Sequence, residues 1–144
     1  MSGTVIVGVD GSETANKAAT RAATVAAGLG ADLMVITAHT KDNTEVVQIG
    51  SDTWILDDAE QAQKLAEKSA TKLRELVPGA SIKAAAVKGK PQDALVEEAS
   101  RLGAQLIVVG NVGMKGLGRV LGSVASSVAL NAPCDVYIVK TASK

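Results

Sequence analysis

The chain has 144 residues, 47% of them apolar and 21% charged, with 15 Lys and Arg against 15 Asp and Glu. That is a globular composition, and a formal net charge of +0 provides no long-range field for a general nucleic-acid binder. One Cys and one His exclude a disulfide framework and a thiolate or His-rich metal cluster, and one Trp, one Tyr and no Phe leave no stacking platform for single-stranded nucleic acid.

Met1-Ser2-Gly3-Thr4 leads straight into Val5-Ile6-Val7, with no basic region or long apolar stretch before it. No run approaches the roughly 20 apolar residues that cross a bilayer. The expectation is a cytoplasmic protein with neither a membrane nor a nucleic-acid partner. No repeat or boundary is visible, so 1–144 reads as one domain.

From the amino terminus, short β-branched runs alternate with Ala-rich helical stretches. Residues 4–9 form the first run. Ser12 is a good N-cap for a helix over 13–27, which Gly28-Leu29-Gly30 ends. Residues 32–38 are the second run. The polar stretch 39–52 reads as a connector. In the helix expected over 57–76, Ala59, Ala62, Ala66, Ala70 and Leu73 make one stripe, closed by Pro78-Gly79. Residues 81–87 are the third run, and Pro91 suits the first turn of a helix to about Leu102, stopped by Gly103. Residues 105–109 and 135–139 are the last two runs, with a short helix over 123–131 between them. Nearly continuous apolar strands separated by helices predict parallel pairing with right-handed crossovers. The expected fold is α/β: a three-layer sandwich with a five-stranded parallel sheet flanked by four helices. Ligands of such sheets bind beyond the carboxyl ends of the strands.

At that rim, Gly110, Gly113, Gly116, Gly118 and Gly122 fall between the fourth strand and the last helix. Glycine lets a ligand approach the backbone N–H closely, and Gly122-Ser123 opens a helix whose free N–H groups and dipole favour an anion. The pattern points to a phosphate cradle, against the alternative of a plain turn. It is not a Walker A loop, because Gly118 is followed by Arg119-Val120, and no G-x-G-x-x-G follows the first strand. Asp10 ends the first strand, where a carboxylate accepts from a ribose hydroxyl or an adenine amine, or else from its own turn. Lys88, Lys90, Lys115 and Arg119 are weaker candidates, since charged loop residues are commonly just solvated.

Val5-Ile6-Val7-Gly8-Val9-Asp10-Gly11-Ser12, Gly89-Lys90-Pro91, Val109-Gly110-Asn111-Val112-Gly113 and Gly122-Ser123-Val124, in this order, resemble the universal stress protein family over essentially the whole chain. They are similar to its nucleotide-binding branch, with G-x-x-G, a nine-residue spacer and G-[S/T]. The resemblance implies strand order 3-2-1-4-5 and a homodimer paired through the last strand, Asp135–Val139. It implies an adenine nucleotide, ATP or cyclic AMP, with Mg²⁺ accompanying ATP, and a role as stress-response sensor or nucleotide reservoir. The implied contacts are Val9 and Asp10 at the end of the first strand, the backbone of Ala38 on the adenine, and Gly89 near the ribose. Gly110 and Gly113 match the glycines on ribose and phosphates, and Gly122, Ser123 and Val124 match the phosphate-binding helix start.

The spacer here is eight residues, Met114 to Leu121. Losing one residue either is absorbed around Gly116-Leu117-Gly118 or moves the helix start by about 1.5 Å, which bears on ATP more than on cyclic AMP. A phosphate-receiver domain is disfavoured, because only Asp10 stands where it needs an acidic pair and Val87-Lys88-Gly89 stands where its phosphorylated Asp would be. His39 and Cys134 do not make a catalytic set, so the enzymatic ceiling is slow ATP hydrolysis or autophosphorylation at Ser123. The remaining alternative is a dimeric scaffold without nucleotide.

Overall fold

The computed structural model describes residues 3–39, 44–49, 52–111 and 122–141, with the backbone alone for 44–49 and 52–58. In chain order the elements are β1 (Thr4–Gly8), α1 (Glu13–Leu29), β2 (Asp32–His39), β3 (Thr44–Ile49), β4 (Asp52–Asp57), α2 (Asp58–Leu76), β5 (Ser81–Lys88), α3 (Pro91–Leu102), β6 (Leu106–Gly110), α4 (Ser123–Asn131) and β7 (Asp135–Val139). Five of the strands make a parallel sheet in the order β5-β2-β1-β6-β7. Counting only these five, the order is 3-2-1-4-5, as the resemblance implies.

The segment 39–52 departs from its reading as a connector. It carries β3, which pairs with β4 in an antiparallel hairpin, Thr44 opposite Asp57 and Ile49 opposite Asp52. The signal was present. Gly50-Ser51 separates two runs rich in β-branched residues, a spacing that favours a two-residue hairpin turn.

Both faces of the sheet are covered, which is why its strands read as continuous apolar runs. On one face Val5, Val7, Val9, Leu33, Val35 and Val108 pack against Ala18, Ala19, Ala22, Ala23 and Ala26 of α1 and Ala70 and Leu73 of α2. The all-Ala face of α1 lets the helix lie close to the sheet. On the other face Ile6, Ile36, Ile107 and Val109 meet Leu95 and Ala99 of α3 and Ala125 and Val128 of α4. Each fully buried Val, Ile or Leu contributes about 1.5–3 kcal/mol, so a core without Phe still supplies the driving force.

The two edges of the sheet differ. Along β5, the side chain of Gln63 on α2 accepts from Ala86 N–H at 3.1 Å and donates to Ala84 O at 3.5 Å. Arg74 donates to Ile82 O at 2.6 Å. Helix side chains thus satisfy three of the outer backbone groups of β5. Along β7, Asn111 N–H donates to Val139 O, so the ladder alternation turns the N–H and C=O of Val136 and Ile138 outward. No bond to these groups is found among the described residues. Ile138 is 38% exposed.

Candidate functional site

Strand lengths create the site. Pairing of β1 with β2 ends at Gly8 opposite Ile36, and with β6 at Val7 opposite Val108. The outer pairs run on, β2 with β5 to His39 opposite Lys88, and β6 with β7 to Gly110 opposite Val139. The central strand therefore stops short of both neighbours and leaves a notch at the carboxyl end. Val9 N–H makes the last bond across it, to Ile36 O at 2.8 Å. Because backbone groups alternate sides, Ala38 and Gly110 both turn their N–H and C=O toward the space that β1 has vacated.

A cavity of about 170 Å³ fills this notch. Its walls include Gly8, Val9, Asp10 and Ser12, then Thr14, Ala15 and Ala18 of α1, Ile36 and Ala38 of β2, Pro91 and Leu95 of α3, Val108 to Gly110, and Val124 of α4. Most of the lining is apolar, with a few polar groups at the mouth, the usual make-up of a small-molecule site. The position is also where the strand order reverses, between β1 and β6.

Asp10 is exposed at the mouth. Its Oδ1 accepts from Ser12 N–H at 2.9 Å, an Asx turn. Oδ2 takes no bond from the described residues. The turn reading of Asp10 is thus met by one oxygen of the carboxylate, and the other oxygen is left out of it.

Three helices begin at this rim, and their first turns are not equivalent. In α1 the Ser12 hydroxyl accepts from Ala15 N–H at 3.2 Å and lies 3.3 Å from the Thr14 hydroxyl. In α3 the N-cap is Lys90, without a side-chain cap, and Pro91 at the first position removes one donor. In α4 the N-cap is Gly122, which has no side chain, with φ −62° and ψ 156°. The N–H groups of the first turn of α4 thus donate to no N-cap side chain and stand at the positive end of the helix dipole. Val124, in that turn, lines the cavity.

Gly122 N–H donates to Asn111 O at 2.9 Å. Strand β6 and helix α4 are joined there, and the helix starts at Ser123, the residue the sequence indicated.

Of the residues singled out in the sequence, Val9, Asp10, Ala38, Gly110 and Val124 share the cavity. Gly122 and Ser123 open α4 beside it. Gly89 is at the end of β5, held by a bond from its N–H to His39 O at 2.8 Å. Its φ of +134° is a conformation that side chains rarely adopt, so glycine is required there by the backbone. Gly110 has a second reason to be glycine, because a Cβ would come within 3.2 Å of the Thr141 side chain. Gly113, Lys115, Gly116, Gly118 and Arg119 lie outside the described residues. Lys88 and Lys90 are exposed and are not in the cavity wall. Sequence reading passed over Thr14, Ala15, Ala18, Ile36 and Leu95. The available signal was the pair of small residues Ala15 and Ala18, one turn apart directly after Ser12.

Cys134 is half-buried, and burial followed by the neighbouring Asp135 carboxylate pushes its thiol pKa up, the wrong direction for a nucleophile. Among the described residues no three His, Cys, Asp or Glu side chains converge on a metal position, and no helix is long and apolar enough to cross a membrane.

Residues 1–140 match the model of the universal stress protein family. The chain belongs to that family. A universal stress protein of Mycobacterium tuberculosis is 34% identical over 149 residues, covering 96% of each chain. One from Methanocaldococcus jannaschii is 31% identical, covering 97% of this chain and 83% of the relative. Among solved structures, a universal stress protein in complex with cAMP superposes with a TM-score of 0.73 at 34% identity, covering 98% of both chains. One from Archaeoglobus fulgidus in complex with dAMP gives 0.70 at 23% identity, covering 97% of this chain and 98% of the other, and supports the fold alone. The strand order and the flanking helices are those of the family's α/β fold.

Proposed function

We propose that the notch binds an adenine nucleotide, ATP or cyclic AMP, and that the protein acts as a stress-response sensor or nucleotide reservoir. The observation that carries this is the pairing, on one cavity, of the side-chain-free helix start at Gly122 with the ribose-ready carboxylate of Asp10. The 34% identical relative crystallised with cAMP supports the same ligand class. In this reading Ala38 meets the adenine through its backbone, Val9 packs on the base, and Asp10 accepts from the ribose. Gly89 and Gly110 allow close approach of the sugar. Gly113, Gly122, Ser123 and Val124 hold the phosphates by N–H groups and the helix dipole. Mg²⁺ arriving with ATP would be held chiefly by the phosphates, as is usual for this ion, because no carboxylate cluster stands ready for it among the described residues.

The open edge of β7 supports a homodimer through Asp135–Val139, since an unpaired strand edge is a template for another strand. The Ile138→Lys variant is expected to sediment as a monomer at micromolar concentration while the unmodified chain sediments as a dimer; a monomer in both would remove the dimer from the proposal.

The binding test is the thermal unfolding midpoint with ATP·Mg²⁺, AMP and cyclic AMP. A ligand at about 100 times its Kd adds about 2.7 kcal/mol, and each kcal/mol moves the midpoint by about 2–4 °C near this size. An upward shift of several degrees is expected with at least one adenine nucleotide. A shift with cyclic AMP but not ATP would fix the monophosphate as the ligand. No shift with any of them would overturn nucleotide binding in favour of a scaffold role.

A further inference from the structure

The residue between the strand notch and the helix start is Asn111, bonded through its N–H, its C=O and its side-chain oxygen. Its N–H donates to Val139 O at 2.8 Å and its C=O accepts from Gly122 N–H at 2.9 Å. Its Oδ1 accepts from Thr141 N–H at 2.8 Å and from the Thr141 hydroxyl at 3.2 Å. A backbone N–H can only donate, so the Thr141 bond fixes which end of the amide faces it. Thr141 itself is 3% exposed. It packs over Gly110, and its carbonyl accepts from Lys17 of α1 at 3.4 Å.

This arrangement ties four parts of the fold together at one residue: the end of β6, the end of β7, the start of α4 and, through Thr141, the flank of α1. Among the described residues, the bond from Gly122 is the hydrogen bond that holds the helix start to the strand end directly, and its acceptor is the carbonyl of the residue whose side chain Thr141 grips. We infer that Asn111 is a positioning residue for the phosphate end of the site, and that Thr141, beyond the last strand, is the partner through which it works. The side-chain grip sets the orientation of the Asn111 peptide, hence the place of Gly122 and the direction in which the first N–H groups of α4 point. This rests on the nucleotide reading above and adds two residues to it that touch no ligand.

The test is a calorimetric comparison of a nucleotide, cyclic AMP or ATP, with adenosine, on the unmodified chain, Asn111→Ala and Thr141→Val. Adenosine uses the notch but not the helix start. Asn111→Ala leaves both main-chain bonds in place and removes the acceptor of two others. Nucleotide affinity is expected to fall roughly tenfold, the worth of an anchoring bond lost from a half-buried site, while adenosine affinity stays within about twofold. Thr141→Val keeps the backbone donor and is expected to fall between the two, in the same nucleotide-selective sense. Amide exchange at Gly122 and Ser123 should quicken in both variants. If Asn111→Ala fails to fold, Thr141→Val decides. A lowered unfolding midpoint with unchanged nucleotide affinity, or equal losses for nucleotide and adenosine, would reduce Asn111 to a structural residue and overturn the inference alone. Absence of nucleotide binding to the unmodified chain would overturn the proposed function and this inference with it.

Discussion

The two ends of the sheet use the same strands in opposite ways. At the amino end, backbone groups are consumed internally. Gly30 N–H caps α1 on Ala26 and Ala27 carbonyls, and Gly103 N–H caps α3 on Ala99 and Ser100 carbonyls. The next residues continue the pattern: Asp32 N–H reaches Gly3 O and Gln105 N–H reaches Thr4 O, both at 2.9 Å. At the carboxyl end β1 stops early, Ala38 and Gly110 turn backbone groups to a cavity, and α4 begins on a residue with no side chain to cap it. Glycines punctuate both ends. What distinguishes the carboxyl end, among the described residues, is a set of backbone groups turned toward an apolar cavity rather than into caps and ladders.

The largest effect should come from occupying such groups. Gly122 has backbone angles that any N-cap residue adopts. Gly122→Asp would place a capping carboxylate there, stabilising α4 by a few tenths of a kcal/mol, and would put a negative charge where phosphates are expected. The protein should melt slightly higher and bind nucleotide at least about 100-fold more weakly, a like-charge clash at a partly buried site being worth about 3 kcal/mol or more. Retained affinity in a calorimetric titration would show that α4 does not read the phosphates.

Asp10→Asn is the next largest. The amide oxygen keeps the turn bond to Ser12 N–H, so the fold should be undisturbed, while the charge-assisted bond to the ribose is lost. Charge-assisted bonds are worth about 1.5–3 kcal/mol, so adenosine and nucleotide should both weaken by about tenfold or more. Equal affinity in the variant would confine Asp10 to the turn.

The amino end should behave in the reverse sense. Gly103 has φ +63°, and a side chain in that region adds about 1–2 kcal/mol of strain. Gly103→Ala should lower the unfolding midpoint by a few degrees at this chain size and leave nucleotide affinity unchanged. A change in affinity would break the separation between the ends.

The smallest effect is a pH dependence of α3. Glu98 is buried on that helix and accepts from Arg101 at 2.6 and 2.9 Å. The hydrogen bond from Arg101 holds its carboxyl below the ordinary value of 4.5, against the opposing effect of burial. A pKa depressed in the folded state contributes stability that is present above 4.5 and lost as pH falls through the folded value. Glu98→Gln should therefore flatten the acid side of the stability profile, and an unaltered profile would show the pair to be without effect.

Much of this was legible in the sequence. Continuous apolar runs and Ala stripes fixed the sheet and helices because each period has one geometric solution. The hairpin of β3 and β4 was missed because Thr44, Glu45, Gln48, Asp52 and Thr53 give the stretch a polar look that masks the turn signal of Gly50-Ser51. Asp10, Ala38 and Gly110 were legible as rim residues, but the reason Ala38 matters, the early end of β1, is a property of pairing. Thr141 was illegible at the site because its contacts with Gly110 and Asn111 are long-range, 30 residues from Asn111. The cavity wall on α1 was overlooked because Ala15 and Ala18 look like ordinary helix formers.

The most direct test of the division between the two ends is a backbone amide NMR titration with AMP. The account predicts shifts at Asp10, Ala38, Gly110 and Gly122 to Val124, with Gly30, Asp32, Gly103 and Ala104 unmoved. Shifts at the amino-end residues, or none at the start of α4, would contradict it.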